Sequence, residues 1–148
     1  MNEILLAVDG SEHSQRAAAL AGELSRAMNI PVAVVNVVSD GALASSRPLR
    51  DYARIEKVTI TQRELLKSLG ADLVAEAANE VRGSGGKVSS TDVLIGGPAQ
   101  QIARRADEIG VDCIIMGRRG LGDVGGLLIG SVSHKVGHLT GRTLITTE

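Results

Sequence analysis

Aromatic side chains are almost missing from this chain, which has one Tyr and no Phe or Trp among 148 residues. Modules that grip single-stranded nucleic acid by stacking bases on exposed rings are therefore excluded. The core has to be aliphatic, built from Val, Ile, Leu and Ala, which suits strands covered on both faces by helices. Basic runs are missing too. Lys and Arg number 16 against 17 Asp and Glu, a formal net charge of −1, and no cationic cluster exceeds the pairs Arg104-Arg105 and Arg118-Arg119. The electrostatic footprint of a DNA- or RNA-binding surface is thus absent.

Cysteine occurs once, at Cys113, so no internal disulfide can form and a reducing compartment is expected. Set between Asp112 and Ile114 in an apolar run, that thiol reads as a small buried hydrophobe. No run approaches the ~20 apolar residues of a membrane span. The opening Met-Asn-Glu-Ile-Leu-Leu-Ala-Val-Asp lacks the positive start of a signal peptide and reads as a strand. The expectation is one cytoplasmic domain over residues 1–148, with no nucleic-acid and no membrane partner.

Catalytic signatures are also scarce. The histidines His13, His134 and His138 are scattered, and only His134 and His138 stand one helical turn apart, without the Glu of a His-Glu-x-x-His motif or a third ligand nearby in sequence. No metal site is expected. There is no Gly-x-Ser-x-Gly elbow, and no nucleophile and general base announce themselves as a pair, so no catalytic residue is assigned.

What is present is an alternation of strand and helix patterns. An apolar run at 4–8 is followed by Ser11, a helix cap, and by Ala17, Ala18, Leu20, Ala21, Leu24 and Met28 along one helical face; Pro31 then opens a strand at 32–38. Residues 39–50 are polar, contain Gly41 and Pro48, and read as a loop long enough to act as a lid. From Asp51, the spacing of Tyr52, Ile55, Val58, Leu65, Leu69, Leu73, Ala77 and Val81 predicts a long amphipathic helix, with Gly70 a weak point costing about 1 kcal/mol relative to Ala. A strand at 87–95, a helix opened by Gly96-Gly97-Pro98, a strand at 111–116, a helix from about Ser131 and a last strand at 143–146 complete the pattern. The predicted architecture is an α/β sandwich with one doubly wound five-stranded parallel sheet, order 3-2-1-4-5, and helices on both faces.

Gly117-Arg-Arg-Gly120, followed nine residues later by Gly130-Ser131, joins the strand at 111–116 to the next helix start. Glycines there let backbone amides approach a ligand, and a helix N-terminus offers unpaired donors and partial positive charge to an anion. The segment is a phosphate cradle in outline, at the strand ends where open α/β sheets bind ligands. Two better-known motifs nearly fit and fail. Gly120-Leu-Gly-Asp-Val-Gly125 spells the dinucleotide fingerprint but follows a late strand, with no later strand ending in Asp or Glu at the required spacing. Gly125 to Gly130 has Walker A glycine spacing, with Ser131 where Lys is needed.

With Val8-Asp9-Gly10-Ser11 ending the first strand, Gly-Gly-Pro98 entering the third helix, Asp112-x-Ile114-Ile115-Met116-Gly117 and the complete Gly-x2-Gly-x9-Gly-Ser motif, the chain resembles the universal stress protein family, in particular its ATP-binding branch. The resemblance spans essentially the whole length. It implies an adenine site touching Ala7, Val8 and the backbone near Val37, and a ribose near Asp9 and Gly117, beside Met116. Phosphates would be held by Gly120, Gly130, Ser131, Val132 and Ser133. It further implies ATP, ADP or AMP as ligand, Mg²⁺ as a candidate companion, and a homodimer through the strand from Thr143 to Thr146, although the family's apolar final strand with its preceding Pro is here Gly-Arg-Thr-Leu-Ile-Thr-Thr. The expected function is a nucleotide-dependent dimeric switch in a stress response. A slow Mg²⁺-dependent ATPase and an interaction module without ligand are the alternatives. Two residues keep a second reading. Asp9 suits a strand-to-helix turn as well as a ligand, and Arg118 and Arg119 suit a solvated loop as well as a triphosphate.

Overall fold

The computed structural model describes residues 2–39, 62–121 and 130–148. In chain order these form β1 (Ile4–Ala7), α1 (Glu12–Met28), β2 (Pro31–Val38), α2 (Gln62–Gly83), β3 (Lys87–Ile95), α3 (Pro98–Ile109), β4 (Cys113–Gly117), α4 (Ser131–Leu139) and β5 (Thr143–Thr147). All strand pairings are parallel and the sheet order is β3-β2-β1-β4-β5, the predicted order. The expected lid beyond Ser39 and the expected helical positions Tyr52, Ile55 and Val58 lie outside the described residues.

Strand periodicity divides the core into two layers. Ile4, Leu6, Val32, Val34 and Ile115 face Ala17, Ala18 and Ala21 of α1 and Val74, Ala78 and Val81 of α2. The alternate residues Leu5, Ala33, Val35, Ile114 and Met116 face Ala99, Ile102 and Ala106 of α3 and Val136 of α4. Successive strand side chains point to opposite faces, so an unbroken aliphatic strand serves both layers.

Ser11 caps α1 as expected, its Oγ accepting from the Ser14 amide at 3.2 Å. Met28, expected on the inner face, is 47% exposed, because the helix ends there and Asn29, at φ 56°, turns the chain into β2.

The contact stripe of α2 keeps the predicted Ala77 and Val81, both buried, but lies a residue off the predicted one earlier in the helix. Leu69 is 46% exposed, whereas Leu66, Val74 and Ala78 are buried. Gly70 is the reason. A Cβ on it would lie 2.7 Å from Val93 Cγ1 and 2.8 Å from Asn36 Oδ1. The bare backbone is therefore a point of close approach to β2 and β3, and the helix face turns about it. What helix propensity scores as a weak point is a packing contact.

Cys113 is buried in the first layer, and desolvation, followed by the neighbouring Asp112 charge, pushes its thiol pKa up. A folded-state pKa above the unfolded one means that thiol protonation contributes stability below the ordinary thiol pKa. That contribution is lost as pH rises from there through the raised value. Native protein at pH 8 should resist iodoacetamide, with alkylation tracking unfolding in a urea series. Rapid modification of folded protein would contradict this burial.

Candidate functional site

β1 and β4 are neighbours whose following helices, α1 and α4, cover opposite faces of the sheet, so the chain diverges at their carboxyl ends. That divergence opens a crevice. A cavity of about 550 Å³ lies there, within the ~300–1,000 Å³ range of small-molecule sites. Its walls bring together Ala7, Val8, Asp9 and Val37 with Met116, Gly117, Arg118 and Gly120, and with Gly130, Ser131, Val132 and Ser133, the whole set expected from sequence.

One side is apolar, formed by Ala7, Val35, Val37 and Met116 with Pro98 and Ile102 from α3. Sequence reading missed the α3 residues. Their signal was available, since Ile102 lies on the inner face of α3 and Gly97-Pro98 starts that helix, but which end of the sheet it crosses depends on the crossover. The other side carries the start of α4. Gly130 precedes this helix with no side-chain cap, so its first-turn amides are uncapped beside the exposed Ser131.

The glycine turn is held by its own hydrogen bonds. Arg118 is the hub: its amide donates to Thr147 O at 2.8 Å, and its carbonyl accepts from the Gly130 amide at 2.8 Å and the Ser133 hydroxyl at 2.8 Å. Ser133 Oγ also lies 3.0 Å from Gly130 O. The Gly130 amide and the Ser133 hydroxyl, expected as phosphate donors, thus tie α4 to β4 in this structure. These bonds fix the start of α4, where the Ser131 and Val132 amides lie.

Asp9 makes the strand-to-helix turn of its first reading and one further backbone contact. Oδ1 accepts from the Ser11 amide at 3.0 Å, the strand-to-helix turn, while Oδ2 accepts from the Leu121 amide at 3.2 Å across the cavity mouth. Gly120 has no side chain because a Cβ there would strike Asp9 Oδ2. The Arg118 guanidinium pairs with the Glu148 side chain. Among the described lining residues Asp9 is the sole carboxylate, Arg118 and Arg119 are the cations, and there is no His or Cys.

This arrangement agrees with the sequence comparison, in which the model of the universal stress protein family matches residues 1–141. The chain belongs to that family. Universal stress protein YxiE of Bacillus subtilis is 30% identical over 140 residues, covering 94% of this chain and 93% of the relative. Among solved structures, a universal stress protein in complex with cAMP aligns with a TM-score of 0.70 at 21% identity, over 99% of this chain and 97% of that one. Another, from Archaeoglobus fulgidus in complex with dAMP, aligns with a TM-score of 0.68 at 20% identity, over 100% of this chain and 98% of its own. These family members share the fold described above. Among the described residues, no helix is long and apolar enough to cross a membrane.

Proposed function

We propose that the cavity binds an adenine nucleotide and that occupancy switches the state of a homodimer in a stress response. The observation that carries this reading is the join, in one cavity of about 550 Å³, of an apolar slot to an uncapped helix start. A flat heterocycle gains from the aliphatic wall of Ala7, Val37, Met116 and Ile102, while a phosphate gains from the Ser131 and Val132 amides and the α4 dipole. The cAMP and dAMP complexes of the two structural neighbours support the same class of ligand. ATP is the favoured nucleotide, with ADP and AMP as smaller occupants, and the Ser131 hydroxyl at the cavity wall would serve a phosphate or its Mg²⁺.

Binding rather than turnover is favoured by Asp9. Both of its oxygens already accept amide hydrogens, which suits a carboxylate that shapes the mouth and receives ribose hydroxyls on its remaining lone pairs. The switch would run through Arg118, which joins the cavity wall to β5 through Thr147. β5 is an edge strand with Leu144 and Ile145 part-buried, and it is the proposed dimer seam. Sedimentation velocity reads that assembly directly, and a protein that stays monomeric with and without nucleotide removes the dimer from the proposal.

A thermal-shift titration tests the ligand. At 100 times the dissociation constant, ATP should stabilise the fold by about 2.7 kcal/mol, roughly 5–10 °C for a domain of this size. Gly120→Val combined with Gly130→Val should erase the shift. A Cβ at Gly130 would come 2.9 Å from Arg118 O, and one at Gly120 would displace Asp9. No shift in the wild type with any adenine nucleotide up to millimolar concentration would defeat the assignment. Phosphate release measured with and without Mg²⁺ separates a switch from a slow ATPase.

A further inference from the structure

On α4, beyond the cavity, His134 and His138 stand one turn apart with both rings exposed. Their Nε2 atoms are 3.3 Å apart, and the rings meet edge to face, with centroids 4.6 Å apart and planes at 72°. Neither ring lines the candidate nucleotide site. We propose that this pair is a two-point chelate for a divalent transition cation of the zinc class.

The argument is geometric. Zn²⁺ holds imidazole nitrogen at ~2.0–2.1 Å, and two such bonds at the tetrahedral angle place their nitrogens about 3.3–3.4 Å apart. A square-planar ion, with a right angle between ligands, would want about 2.9 Å. The observed nitrogen separation of 3.3 Å matches that tetrahedral spacing, and turning the two exposed rings out of their edge-to-face contact brings both lone pairs onto one ion. Without metal, the same contact is an imidazole N–H···N bond near the long end of the hydrogen-bond range.

Position on the helix adds to this. His138 lies in the last turn of α4, where the helix dipole is negative and favours a cation. Both side chains project from one face because residues four apart stack on a helix. Among the described residues no third His, Cys, Asp or Glu joins them, so the two remaining coordination positions belong to water. The site is an open one, able to exchange its outer ligands. The sequence pattern, without the Glu of a zinc-protease helix, pointed away from a metal; the mutual approach of the two rings is what sequence spacing does not show.

The test uses tag-free, metal-stripped full chain titrated with zinc chloride by calorimetry, in the absence of nucleotide. The expected result is one Zn²⁺ per chain, with affinity at least tenfold weaker in His134→Gln and equally in His138→Gln, and unchanged in His13→Gln. Because the chelate forms only when successive turns of α4 are folded, Zn²⁺ should raise the melting temperature of the wild type and of neither pair variant. X-ray absorption of the zinc-loaded protein should show two histidine nitrogens and light outer donors. Wild-type affinity in either pair variant, dependence on His13, or no binding up to millimolar Zn²⁺ would overturn the assignment. Each of these outcomes is independent of whether the cavity takes a nucleotide.

Discussion

Ser131→Glu is expected to leave the free protein as stable as the wild type, or up to about 1 kcal/mol more stable, while weakening ATP binding by one to three orders of magnitude. Residue 131 is the first of α4 and is exposed, so a carboxylate there meets the uncapped amides and the positive end of the dipole, an arrangement that stabilises helices. The same charge occupies the place proposed for phosphate. At an effective dielectric of about 20, two unit charges 4 Å apart repel by about 4 kcal/mol, and each 1.4 kcal/mol is tenfold in affinity. Ser131→Ala, which loses only a hydroxyl, should cost about fivefold. Adenosine, which has no phosphate, should bind both variants like the wild type, since its proposed contacts are with Ala7, Val37 and Met116. Parallel titrations with ATP and adenosine read the difference. If ATP binds Ser131→Glu normally, the phosphates lie elsewhere; if adenosine weakens equally, the substitution has disturbed the fold.

The fold was legible in the chain because its signals are local and repeated. Aliphatic runs broken by Ser11, Pro31, Gly83 to Gly86 and Gly96-Gly97-Pro98 mark the boundaries of a β/α alternation, and right-handed crossovers leave few ways to order five parallel strands. The rim of the cavity was legible for a similar reason, since Gly117 and Gly120 follow an apolar strand and Gly130 precedes a helix start.

Contacts between elements distant in sequence were not legible. The apolar stripe of α2 was predicted through Leu65, Leu69, Leu73, Ala77 and Val81; Ala77 and Val81 are buried as predicted, but earlier in the helix Leu66, Gly70 and Val74 turn inward, because the glycine that spoils helix propensity is a point of close approach between helix and sheet. Pro98 and Ile102 enter the cavity wall for the same kind of reason, as consequences of the path of α3 over the sheet. The bonds from Arg118 to Thr147, Gly130 and Ser133 show the limit most clearly. They make a loop arginine the centre of the site through its backbone, to which its side-chain chemistry gives no clue.

Gly117→Val should destabilise the protein by about 3 kcal/mol, at the upper end of the usual cost of overpacking, and lower its melting temperature by roughly 6–12 °C. A Cβ at this position would lie 2.8 Å from His13 Cβ, 3.0 Å from His13 C and 3.0 Å from the Ser14 amide nitrogen. Two of those atoms are main chain in the first turn of α1, so no rotamer change relieves the contact, and a branched side chain enlarges it. Relief requires the start of α1 to move off the end of β4. That movement strains the Thr147 hydroxyl bond to His13 O at 2.7 Å and the Ser11 turn that holds Asp9. Nucleotide binding should therefore fall together with stability, in contrast to Ser131→Glu, where the two separate. Gly83→Ala is the matching control. Nothing lies within 4 Å of a Cβ at Gly83, so that substitution should be neutral or stabilising by up to about 1 kcal/mol. Urea melts of the three proteins measure the differences, with an unchanged m-value marking an effect on the native state. A Gly117→Val protein as stable as the wild type would mean that α1 does not sit on the end of β4 as described, and the wall of the cavity formed by Asp9 and Gly117 would have to be redrawn.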